Sequence, residues 1–304
     1  LQHCPVTELP PLHLRDLSLQ HVDIEELPEG LRVEERLSLR SLPLTRLSLR
    51  AAPKNALVID DCLLEELRGP LRVERVQLSR LPLTGLPPHL DARFLTISGC
   101  HALETIPRLP PRCMLTVHDC ETLQTLPAEL QPHHLELRGL PSLRELPALT
   151  FAGRWGTLHL AGCEELRALP EGLRCGILRL SSPLGLEHLP TTLLQRAKIL
   201  WEDFEVPTQS LLDVVEGGGD LQALFAAVEL AGVREQCASF LAELGESGEL
   251  AGATTPVANP ESSIARVLWK QRQSWGQWTF VAELRGSAAP FGLLTRYGER
   301  WCWL

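Results

Sequence analysis

Lysine is nearly absent: Lys54, Lys198 and Lys270 are the only lysines among 29 basic residues, and arginine supplies the rest. GC-rich coding accounts for such a bias, and so does a ubiquitin ligase that spares itself from modification. No apolar run reaches membrane-spanning length, and Leu1 to Leu9 lack the basic-then-apolar pattern of a signal peptide. The chain opens on Leu1, in what reads as the tail of a repeat, so a trimmed start is expected and the missing signal excludes little about targeting. There is no C-x-x-C pair, and nine cysteines is an odd number. They fall at the spacing of a repeat rather than that of a zinc site or a small disulfide scaffold, which points to a reducing compartment. A basic stripe is missing too. Residues 1–200 carry 22 basic and 24 acidic side chains, and the acidic excess sits in 201–250, with 11 acidic groups against Arg234 alone. Nucleic acid is therefore disfavoured as the main ligand, because phosphate neutralisation supplies most of that affinity, and so is an anionic membrane surface.

What the chain does have is periodicity. Nine segments share an apolar-x-apolar core: Leu17/Leu19, Leu37/Leu39, Leu57/Ile59, Val76/Leu78, Leu95/Ile97, Leu115/Val117, Leu135/Leu137, Leu158/Leu160 and Leu178/Leu180, at successive spacings of 20, 20, 19, 19, 20, 20, 23 and 20 residues. Three residues on stands Val22, Leu42, Cys62, Leu81, Cys100, Cys120, Leu140, Cys163 or Pro183, and most units close on Leu-Pro or Ile-Pro. The alternation predicts a short strand with one face inward. Proline fixes φ and pushes its predecessor out of the helical region, so the return should be extended or 3-10. No unit buries its leucines alone; stacking makes the core. The later apolar positions shift by one residue after about residue 90, where a change of curvature is expected, and the three-residue insertion should make 147–157 bulge.

Units such as Leu158-His159-Leu160-Ala161-Gly162-Cys163 through Leu169-Pro170 resemble leucine-rich repeats. The short period and L-x-x-L-P closure are similar to the leucine-rich-repeat effectors that Gram-negative pathogens inject into host cells, and the cysteine-bearing unit also resembles the repeats of plant disease-resistance receptors. The effectors usually place Asn at the turn position, where this chain has Cys, Leu, Val or Pro. Cys is an alternative there because its thiol can meet a buried backbone group. The resemblance covers residues 9–200. It implies a leucine-rich-repeat solenoid over 1–204, with short parallel strands on the concave face. Location in the bacterial cytoplasm, or in the host cell after secretion, is implied as well. A small α+β or mainly helical domain is expected over 205–304.

Cys62, Cys100, Cys120 and Cys163 share one repeat position and should form an internal ladder. In-register parallel strands do not give a disulfide its dihedral. His118-Asp119-Cys120 is not a catalytic set, since consecutive strand residues alternate faces, and His133-His134 reads as a surface pair. No cofactor or metal is expected. The concave columns single out units five to eight, where Phe94 and Met114 place apolar bulk beside His118, His134, Glu136, Arg138 and His159, with Arg179 one unit on. An apolar pair rimmed by charge is how an interface centre is built, so a protein partner is expected on this face. Packing of these side chains on one another, or on a neighbouring domain, is the competing explanation.

After Leu189-Pro190 the repetition stops. Ile199-Leu200-Trp201 reads as a capping strand. Asp220 should cap a helix with Leu221, Leu224, Phe225 and Val228 on one face, continued at helical spacing by Val233, Cys237, Phe240, Leu241 and Leu244. Residues 245–258 read as a loop, and Asn259-Pro260 as the start of another helix through Ile264, Val267 and Leu268. Trp278 to Arg285 and Gly292 to Tyr297 read as a hairpin. Five of the seven tryptophans fall in the last 36 residues, as a small aromatic core or a ligand platform. Many of the effectors carry a cysteine-dependent ubiquitin-ligase domain after the repeats, with a Cys-x-Asp motif. Here Cys237 is followed by Ala238-Ser239, and about 100 residues is too short for that domain. A ubiquitin ligase without a catalytic cysteine is the alternative to a binding or scaffolding protein.

Overall fold

The computed structural model describes residues 7–153, 155–229 and 231–232, and the strands within 264–303. In chain order the elements are β1 (His13–Gln20), β2 (Arg32–Arg40), β3 (Arg46–Ser48), β4 (Ala56–Asp60), β5 (Glu66–Arg68), β6 (Leu71–Ser79), β7 (Leu90–Ser98), β8 (Met114–His118), β9 (His134–Arg138), β10 (Thr157–Cys163), β11 (Ile177–Leu184), α1 (Thr191–Leu194), β12 (Lys198–Trp201), β13 (Phe204–Glu205) and α2 (Thr208–Gly217). The chain divides into two compact units, 1–222 and 223–304.

The first unit is a β-solenoid of about nine turns. Its 11-stranded sheet runs β1-β2-β4-β6-β7-β8-β9-β10-β11-β12-β13, parallel throughout except for the last pair. Register follows the repeat: Leu95 pairs with Leu115, Leu115 with Leu135, and Leu135 with Leu158. Every second strand residue points inward, so Leu115, Val117, Leu135, Leu137, Leu158 and Leu160 are fully buried. Each contributes about 1.5–3 kcal/mol that no single turn could secure.

Eight successive strands of the large sheet, β1 to β10, bend at a left-handed residue: His21, Ser41, Asp61, Arg80, Gly99, Asp119, Gly139 and Gly162 all have φ between 50° and 63°. This bend keeps the backbone ladder running past the strand ends, as in Gly99 N–H to His118 O (2.9 Å) and Asp119 N–H to Arg138 O (2.9 Å). In the later units a turn follows at once, closed by Leu103 N–H to Cys100 O (3.1 Å) and Leu123 N–H to Cys120 O (3.3 Å). Of the column's glycines Gly162 is pressed most closely by neighbouring backbone, since a Cβ there would lie 3.0 Å from the Gly139 amide nitrogen. Gly162→Ala should therefore cost about 1–2 kcal/mol, read as a shift in urea midpoint; an unchanged midpoint would sink the assignment of a strained column.

The convex return differs along the solenoid. Its early part carries the short parallel pair β3–β5, whereas later returns are extended with isolated turns. That contrast coincides with the one-residue shift in the repeat. Of the two expected forms of return the extended one is found, with no 3-10 segment among the described residues. Ion pairs between successive turns, such as Arg108–Glu129 (2.7 Å) and Arg167–Glu187 (3.1 Å), decorate this side. They are exposed and contribute little. The insertion before β10 forms a loop in which Phe151 is buried and Trp155 is 71 % exposed.

The expected capping strand is present as β12, in register with β11, and is followed by a two-residue hairpin to β13. Both hairpin residues are left-handed, Glu202 at φ 51° and Asp203 at φ 72°, as a type I′ turn requires. Neither is glycine. Side-chain bonds offset the strain: Glu202 Oε1 accepts from Ser182 N–H (2.7 Å) and Oγ (3.0 Å), and Asp203 Oδ1 accepts from Arg179 Nη1 (2.8 Å). α2 stops at left-handed Gly218. Asp220 Oδ1 then accepts the Gln222 N–H (2.9 Å), capping a helix over 221–229. Leu221 and Phe225 on it are buried, with Leu224 and Val228 half-buried, as the spacing predicts.

In the second unit β14 (Ile264–Gln273), β15 (Gln277–Leu284), β16 (Phe291–Tyr297) and β17 (Arg300–Trp303) form one antiparallel sheet. The β15–β16 hairpin is as expected. The helix expected through Ile264, Val267 and Leu268 is instead strand β14. Its ladder slips between Ile264 and Arg266 and again between Val267 and Trp269, and each inserted residue resets the two-residue alternation. The apolar positions therefore fall three and four apart, imitating a helix. Residues 233–244, including Cys237, and the loop expected over 245–258 lie outside the described residues.

Candidate functional site

Parallel register carries the sequence columns onto one face of the sheet unchanged. Phe94, Met114, His134, Thr157 and Ile177 form one row across β7–β11; Thr96, Thr116, Glu136, His159 and Arg179 the next; Ser98, His118, Arg138, Ala161 and Ser181 the third. Strands lie about 4.8 Å apart and rows about 6.7 Å apart, so side chains on neighbouring strands and in neighbouring rows meet. All eight candidate residues face the same side; seven are half-buried and His159 is buried.

Glu136 is the hub. Arg138 Nε lies 2.7 Å from its Oε1, His118 Nε2 3.5 Å and His159 Nδ1 3.6 Å from the same oxygen, and His134 Nε2 3.6 Å from Oε2. The imidazole distances are long for hydrogen bonds. Contact with His118 and then His134, helped by Arg138, holds the Glu136 carboxyl far below the usual carboxylate range despite its partial burial. Glu136 is thus an anion throughout the physiological range.

His159 behaves in the opposite sense. Burial, followed by the neighbouring Arg138 charge, lowers its pKa to about 4. Arg138 Nη2 lies 3.2 Å from His159 Nδ1. A guanidinium only donates, so this contact needs a neutral imidazole with its lone pair on Nδ1. Arg138 is held from two sides, by Glu136 and by His159, with its side chain 41 % exposed.

Phe94 is covered differently. The Arg75 and Arg93 guanidinium carbons stand 5.2 and 5.4 Å from its ring centroid, a cation–π arrangement that leaves the ring half-exposed. Arg179 is tied to Asp203 and belongs as much to the hairpin as to the face. The sequence columns did not reveal Arg93 or Asp203 as parts of this constellation, because neither lies in a concave row. Trp155 was hidden for another reason: the insertion signals a bulge without saying which side chain it exposes.

The cysteines stand apart from the face. Cys62, Cys100, Cys113, Cys120, Cys163 and Cys175 are buried free thiols. Those at the shared repeat position donate to strand carbonyls: Cys62 Sγ to Asp60 O (3.4 Å), Cys120 Sγ to His118 O (3.3 Å) and Cys163 Sγ to Ala161 O (3.5 Å). Burial pushes Cys120 up to about 12 and Cys163 to about 11. A thiol that stays protonated is not a nucleophile. His118, on the concave side, meets this sulfur only through its backbone.

Among the described residues no cluster of His, Cys, Asp and Glu is placed to hold a metal ion, and no helix is long and apolar enough to cross a membrane. No protein-family model, curated protein or solved structure matches the chain.

Proposed function

We infer that the solenoid is a leucine-rich-repeat module that binds a protein partner on its concave face, in the manner of a bacterial effector or scaffold. One observation carries this reading. Half-exposed Phe94 and Met114 sit in register beside Glu136, His118, His134 and Arg138, an apolar centre bordered by ordered charge. Interfaces concentrate their energy in such centres, where aromatic and arginine side chains leave water together. The effector resemblance rests on the repeat unit alone.

The test is affinity capture from host and bacterial lysates with the wild-type chain and with Phe94→Ala/Met114→Ala/Arg138→Ala, followed by titration of whatever the wild type retains. Truncating three central residues should weaken the retained partner about 100-fold or more. Thermal melts of both proteins check that the fold is intact. If the variant retains the same proteins with the same affinity, the concave-face reading is wrong.

A further inference from the structure

The charge on this face has a sign. Within the three concave rows of β6–β11 the fixed charges are Arg75, Arg138 and Arg179 against Glu136 alone. Residues 1–200 as a whole are near balance, with 22 basic and 24 acidic side chains, so this stretch of the face is more positive than the repeats around it. Its one carboxylate is already engaged by Arg138 and two imidazoles, which leaves no unengaged carboxylate within these rows of β6–β11 for a cationic partner to pair with. Arg138 is fixed in place with donors to spare, as a carboxylate receptor should be.

A second observation supplies an apolar anchor. Trp155 is 71 % exposed on the insertion loop. That loop is fastened to the site's leading edge: the His133 ring Nδ1 lies 3.1 Å from Ala152 O, and Thr157, two residues past Trp155, is the register partner of His134. An indole left this exposed is the usual form of an unoccupied hot spot.

We propose that the face selects an extended acidic segment of its protein partner. A carboxylate of that segment is received by Arg138 between His118 and His134, and an adjoining apolar side chain is received by Met114 and Trp155. The proposal rests on the concave-face reading and specifies the partner's chemistry.

The test uses the full chain and three labelled peptides of equal length, alternating Glu–Leu, Gln–Leu and Lys–Leu, followed by fluorescence anisotropy at pH 7.5. Peptide glutamates are ionised there, their pKa being about 4.3 in water. The Glu–Leu peptide should bind about tenfold tighter than the Gln–Leu peptide, with Lys–Leu weakest. Arg138→Gln should erase the Glu-over-Gln preference, and Trp155→Ala should weaken Glu–Leu binding about tenfold. Equal affinity for Glu and Gln peptides, or no Glu–Leu binding at about 1 mM, overturns the proposal. The two levels separate cleanly. If Phe94→Ala/Met114→Ala weakens every peptide alike without charge preference, only the acidic specificity falls. If it leaves every peptide's binding unchanged, the concave-face reading falls with it.

Discussion

Leu137→Ala should destabilise the solenoid by about 3–5 kcal/mol, the range for truncating a fully enclosed leucine. Leu137 is 0 % exposed and lies in register between Val117 and Leu160, so the void opens in the middle of the stack. In a one-dimensional array each turn is supported only by its neighbours, and the loss cannot spread over a common core. Urea denaturation followed by circular dichroism should show the lower midpoint. Native-state hydrogen exchange should show protection lost first in β8–β10 rather than in β1–β2. Leu137→Met, which conserves volume, should cost less than about 1.5 kcal/mol. A Leu137→Ala loss under about 1 kcal/mol would contradict the stacked core. Glu136 and Arg138 flank Leu137 on the same strand, so the variant should also loosen the interaction face.

The second large effect is in pH. An ordinary histidine titrates near about 6.5, while His159 in the folded chain is lowered to about 4 by burial and by Arg138. Between these values the unfolded chain holds a proton that the native state does not. Stability from this group is therefore complete above about pH 7 and is lost as pH falls through the window toward 4, by about 3 kcal/mol in all. Glu136 works in a lower window: its depressed carboxyl stabilises the fold above the ordinary carboxylate range, and that contribution fades only as pH falls below it. Urea midpoints between pH 7.5 and 4.5 should fall more steeply for the wild type than for His159→Gln, whose amide oxygen can still accept from Arg138. Parallel curves for the two proteins would refute the assignment.

Much of the solenoid was legible because two periods reinforce each other. The two-residue alternation says which side chains face inward, and the repeat of about twenty residues says which strand residue meets which. Pairings such as Met114 with His134, or Glu136 with His159, follow directly once the strands are parallel. The left-handed column was not legible. Three of its members are glycine, but His21, Ser41, Asp61, Arg80 and Asp119 hold the same conformation with a side chain attached, because the next strand's carbonyl fixes the bend whatever the residue. Interactions that leave the concave rows were equally hidden. Arg93 reaches Phe94 from outside the rows, and Asp203 reaches Arg179 from the hairpin that ends the sheet. The misreading at β14 arose from slips in the ladder, which no periodicity argument can anticipate from one strand alone.

That terminal hairpin also bears on how the array can change length. Every interior turn presents its neighbour with a parallel strand, so a duplicated turn can be spliced in and find both of its partners. β13 runs antiparallel to β12 and is joined to it by two left-handed residues whose side chains reach back to β11. A turn appended after β13 would meet the wrong strand direction, while one inserted between β11 and β12 would separate Glu202 and Asp203 from Ser182 and Arg179. Lengthening by tandem duplication is thus confined to the stretch before β11, and descendants of different length should share this hairpin as a fixed terminus.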